Sequence, residues 1–95
     1  MSEAQLEVQV AKAPLDSERA LRFRGAEREY QATADAGQVT LPEGRQPTGR
    51  DSVRGLVRVL IVEEDPRLGR VLVQLPGEVV MGGRRVWVRQ DMLRR

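Results

Sequence analysis

Glu63-Glu64-Asp65 is the densest carboxylate group in the chain, and three such side chains supply the oxygens that Mg²⁺ or Ca²⁺ takes. They lie between two apolar runs, however, where charge ordinarily solvates a turn. Little else is available for catalysis. The 95 residues include no histidine and no cysteine. That removes Ser-His-Asp and Cys-His chemistry, the commonest general base, thiolate sites and zinc sites. Gly44, Gly49 and Gly55 fit neither the dinucleotide fingerprint nor the P-loop pattern. Gly82-Gly83-Arg84-Arg85 would offer backbone N–H groups and guanidinia to a phosphate, and it reads equally as a hairpin turn with solvent-facing arginines. The expectation is a non-enzymatic protein with no metal and no cofactor.

Binding chemistry is better represented. Trp87 is the only tryptophan, set in Arg84-Arg85-Val86-Trp87-Val88-Arg89. In a strand, Val86 and Val88 share one face while Arg85, Trp87 and Arg89 share the other. With the valines inward, an indole between two guanidinia is an anchor for a protein partner or a stacking platform for a base. The alternative is that Trp87 closes one end of the barrel or packs beneath the N-terminal segment. Arg84, Arg85, Trp87 and Arg89 are therefore the candidate partner-binding residues. A free strand edge in the same region would also suit β-augmentation or a homodimer.

Charge supplies the alternative. Residues 1–47 hold six basic and eight acidic side chains, and residues 48–95 hold ten and six. Only Lys12 is a lysine, so nearly all positive charge is guanidinium, the better group for bidentate contact with phosphate. Nucleic-acid binding would then use Arg84, Arg85, Arg89, Arg94 and Arg95. Three aromatic residues in the whole chain are few for a single-strand binder.

Arg24-Gly-Ala-Glu-Arg28 and Arg50-Asp-Ser52-Val-Arg-Gly55 together resemble, in part, two elements of PilZ domains: R-x-x-x-R and, further on, [D/N]-x-S-x-x-G. Ser52 and Gly55 match, whereas Arg50 stands where the pattern has Asp or Asn. The resemblance implies a small β-barrel that binds cyclic-di-GMP, with Arg24 and Arg28 gripping phosphate and stacking on guanine.

The elements that would position these residues are mostly strands. Leu6-Glu-Val-Gln-Val10 alternates strictly. Residues 16–37 admit a helix from Asp16 or Ser17 to Gly37, or strands around Leu21-Arg-Phe23 and Tyr30–Ala34. Leu21 and Phe23 share a face only in a strand, which favours the second reading. A further strand, Gln38–Leu41, precedes an exposed loop at about 43–52. Leu56–Val62 is apolar on both faces, as in a central, fully buried strand. Glu63–Gly69 is a turn, Arg70–Leu75 returns antiparallel, and Pro76-Gly77 breaks that strand. Val79–Met81 leads to a Gly82-Gly83 turn, Arg84–Arg89 forms the last strand, and Gln90–Leu93 tucks Met92 and Leu93 onto the core.

This pattern predicts a mainly β, single domain over residues 1–95: a small antiparallel barrel or sandwich, an SH3-like barrel first among them. Met1–Val10 carries Glu3 and Glu7 and no apolar run, unlike a signal peptide, and no stretch reaches the roughly 20 apolar residues of a membrane span. The expected location is cytoplasmic, without membrane contact.

Overall fold

The structure, a computed structural model, describes residues 2–49, 51–79 and 83–95, with the side chain of Glu78 left out. Alternation dominates it. Eight strands, β1 (Ser2–Lys12), β2 (Glu18–Arg24), β3 (Glu29–Asp35), β4 (Val39–Thr40), β5 (Val53–Asp65), β6 (Arg70–Val79), β7 (Gly83–Arg89) and β8 (Leu93–Arg94), belong to one antiparallel sheet. Two single 3-10 turns, Ala36–Gln38 and Gln90–Met92, precede β4 and β8. Residues 16–37 thus fold as the β2–β3 hairpin. Leu21, Phe23, Ala32 and Ala34 all reach the core, which only period-two spacing permits. Among the described residues no helix is long and apolar enough to cross a membrane.

The sheet curls into a small barrel because its pairings return on themselves. β1 pairs with β5 from Ser2↔Ile61 to Val10↔Val53 and with β2 from Gln9↔Arg22 to Lys12↔Arg19. β2 pairs with β3 along its length, and β5 pairs with β6. The ring closes where β3 meets β6 at Ala32↔Val79. Gly77 makes that approach possible, since a Cβ there would lie well under 3.0 Å from the Thr33 carbonyl oxygen. Pro76-Gly77 therefore does not end the strand, as the sequence suggested. It sits inside β6, within the register irregularity between Gln74 and Val79, where a residue without an N–H breaks no regular ladder.

Inward-facing residues fill the barrel. Leu6, Val10, Val57, Val59, Val71, Val73, Leu75 and Val88 are almost wholly buried, and among the described residues no polar side chain is buried with them. Met92 and Leu93 pack against this core as expected, held by β8 pairing with β1 at Leu6↔Leu93. The meander β5–β6–β7 also stands. Its first strand differs from expectation in burial, however: Val57, Val59 and Ile61 are buried, but Leu56, Leu60 and Val62 are only half-buried. β5 is central within the sheet, yet among the described residues no second layer covers its outer face. Two further boundaries move. β5 runs on through the acidic residues to Asp65, and the Gln38–Leu41 strand shrinks to Val39–Thr40. Val80–Gly82 and Arg50 lie outside the described residues, so the first half of the Gly82-Gly83 turn and one position of the PilZ-like element do too.

Candidate functional site

Register carries the outer face of the C-terminal strands. β6 and β7 pair as Arg70↔Arg89, Val71↔Val88, Leu72↔Trp87, Val73↔Val86 and Gln74↔Arg85. Val71, Val73, Val86 and Val88 are buried, so Arg70, Leu72, Gln74, Arg85, Trp87 and Arg89 point outward. On β5 an extra residue, Val62, separates the rungs Ile61↔Val73 and Glu63↔Leu72, a β-bulge. It places Val62 and Glu63 together on the same outer face. The half-buried Leu60, Val62, Leu72 and Trp87 thereby form an apolar strip across three strands.

Trp87 is held in place rather than free. The Arg70 guanidinium lies over its ring, 4.7 Å from the centroid, a cation–π contact. Arg70 itself is steered by two carboxylates, Asp65 and Glu27, each at 3.7 Å. Its buried Nε has no hydrogen-bond partner, so the guanidinium is fixed by charge and stacking. Beyond it opens a cleft of about 790 Å³ between Glu27, Leu68, Arg70, Arg89 and Asp91. Leu68, at the tip of the β5–β6 turn, is 65% exposed.

β7 is an edge strand, engaged on its outer side at one point among the described residues. Gln90 N–H donates to the Gly69 carbonyl, which makes Arg70↔Arg89 a non-hydrogen-bonded pair of the ladder. By alternation the backbone groups of Arg85, Trp87 and Arg89 then face away from β6. The Trp87 carbonyl accepts the Ala26 N–H of the β2–β3 turn at 2.8 Å, so that turn latches the edge at its middle. The Trp87 N–H and the outward backbone groups of Arg85 and Arg89 have no such partner among the described residues.

The arginines divide by partner. Arg84 donates to the Pro76 carbonyl and Arg85 to Gln74 Oε1, both neutral acceptors. Arg89 pairs with Asp91 at 2.5 Å. Arg94 meets Glu7, which also receives Arg54, and Arg95 meets Glu64 at 2.6 Å. The hydrogen bond from Arg95, reinforced by its charge, holds the Glu64 carboxyl below its ordinary pKa and raises that of Arg95. Glu63, Glu64 and Asp65 do not converge on a common point: Glu64 turns to Arg95, while Asp65 serves Arg70 and accepts the Leu68 N–H. Among the described residues no group of three carboxylates is placed to hold a metal ion.

The residues of the PilZ-like element separate. Arg28 stacks over Tyr30 at 4.8 Å, and that ring in turn packs on Phe23 and fills the space beside Gly25. Arg24 ends β2 beside Glu7, Glu29 and Arg54. Ser52 Oγ donates to Gln9 Oε1, and Gly55 lies in β5 under the Thr40 carbonyl. Sequence reasoning missed Arg70, Leu72, Leu60 and Val62 as members of the outer face. The signal for Arg70 and Leu72 was the β6–β7 register, which would have placed them opposite Arg89 and Trp87. Comparison with protein-family models, curated proteins and solved structures finds no match for this chain.

Proposed function

We propose that this chain is a non-enzymatic binding module that docks a protein through the outer face of β5, β6 and β7, anchored at Trp87. The observation that carries the reading is the Trp87 environment: an indole on the outer face, clamped by Arg70, which is itself held by Glu27 and Asp65, with Arg85 and Arg89 on the same face of the strand. Mixed charge around a preorganised aromatic suits a protein surface, where hot spots combine Trp and Arg inside a polar rim. A nucleic acid needs uncompensated positive charge; of the five arginines that would contact phosphate, Arg89, Arg94 and Arg95 are already paired with carboxylates, which leaves Arg84 and Arg85. Cyclic-dinucleotide binding has less support still, because Arg28 is engaged with Tyr30.

A photo-reactive residue at position 72 tests the reading, with position 31 on exposed β3 as control. Position 72 should cross-link a defined protein, and Trp87→Ala, with its β-sheet spectrum intact, should lower the yield about tenfold or more. Equal yields from both positions, or capture indifferent to Trp87→Ala, would overturn it. A gel shift of single- or double-stranded nucleic acid at low salt would favour the other class of partner.

A further inference from the structure

The outer face of β5 reads Arg58, Leu60, Val62, Glu63: a cation, two apolar groups and an anion, with Arg58 and Glu63 exposed and the pair between them half-buried. The flanking strands add charges of both signs. At one end, Arg58, Arg84 and Arg85 form no ion pair among the described residues, and Glu3, opposite Leu60 on β1, lines the same surface. At the other end stand Glu63, level with Leu72 and Trp87, and Asp65, level with Arg70 and paired to it. Such a face is complementary to itself. A twofold axis lying in the interface and crossing the strands sets β5 antiparallel on its copy. Leu60 then meets Val62 of the partner, and Arg58 meets Glu63 at both ends.

We propose that the partner of this face is a second copy of the chain, in an isologous dimer centred on Leu60 and Val62. The proposal rests on the docking-face reading above and names its occupant. Charge complementarity argues for it, and the latch of Ala26 on the Trp87 carbonyl argues for the face over the β7 edge as the contact. Three strands about 4.8 Å apart, over the length from Arg58 to Asp65, present roughly 300–400 Å² per copy. That is well below a standard interface, so the dimer is weak and concentration-dependent, with dissociation in the micromolar range or above. It is also sensitive to salt, because the end contacts are exposed ion pairs.

Sedimentation of the full chain from about 1 µM to about 1 mM brackets that range. The wild type should pass from monomer to dimer. Arg58→Glu and Glu63→Arg, both at exposed positions, should fold normally and each weaken association about tenfold or more, since each creates two like-charge contacts. Mixing the two variants should restore the dimer, because every end contact then joins opposite charges again. A wild type that stays monomeric throughout, variants that dimerise like the wild type, or a mixture that stays monomeric would each overturn the dimer. Trp87-dependent cross-linking to a different protein alongside a monomeric wild type would overturn the dimer and leave the docking face standing. Loss of both would overturn both.

Discussion

Replacing Gly77 by alanine tests how the barrel closes. Gly77 is not in the left-handed region, so alanine adopts its backbone conformation without strain, and only space is at issue. Ordinary Cβ contacts lie at 3.4–4 Å, and the added methyl would sit well under 3.0 Å from the Thr33 carbonyl oxygen. The obstacle is backbone, which cannot rotate aside as a flexible side chain does. β6 and β3 must separate by on the order of 1 Å, straining the one described rung, Ala32↔Val79, that joins them. Overpacking of this kind costs about 1–3 kcal/mol, and a weakened rung adds roughly 0.5–1.5 kcal/mol. The stiffer unfolded chain offsets about 0.4–1 kcal/mol. The net loss is about 2 kcal/mol, equivalent to a fall in Tm of about 8–16 °C for a domain of this size. Gly37→Ala is the matched control, because nothing lies within 4 Å of its Cβ position and its backbone is equally ordinary. It should hold or gain up to about 1 kcal/mol. Thermal unfolding followed by circular dichroism reads both. A Gly77→Ala protein as stable as the wild type would refute the closure of β6 on β3.

Two further outcomes follow from the same geometry. The Glu64 carboxyl should titrate below the usual glutamate range in carbon-detected NMR, and Arg95→Ala should return it to that range. Because the folded-state pKa is the depressed one, the Glu64–Arg95 tie is present above the ordinary glutamate pKa and is lost as pH falls through the folded value. Trypsin should cut first at Arg45, exposed in the segment between β4 and β5, while the strand arginines stay protected. The nicked chain should remain associated, since β1 spans both fragments' sheet through its pairing with β5.

How much of this was legible in the sequence depends on the range of the signal. Alternation in Leu6–Val10 and Val86–Val88 is local, and it marks the buried valines; whether Trp87 lies on the outer face or closes the barrel is decided only by the β6–β7 register. The pair Leu21 and Phe23 likewise decided strands over helix for residues 16–37. The apolar run Leu56–Val62 misled because composition records both faces of a strand but not what covers them. Pro76-Gly77 read as a break because the close passage of Thr33 that needs the glycine comes from another hairpin. Arg70 was invisible as the clamp on Trp87, since its place depends on the β6–β7 register and its ion partners come from the Asp65 turn and the Glu27 turn. Arg94 and Arg95 read as free phosphate ligands, whereas their partners Glu7 and Glu64 lie far along the chain and carry no local mark.

Trp87 is the only tryptophan, so its emission reports on the proposed docking face without interference. Acrylamide quenching measured against protein concentration tests the central claim most directly. At low concentration the indole should be quenched to the degree expected of a half-buried ring. As association proceeds in parallel sedimentation runs, quenching should fall and the emission should shift to the blue. Association that leaves Trp87 as accessible as in the monomer would show that the chain meets its partner through some other surface.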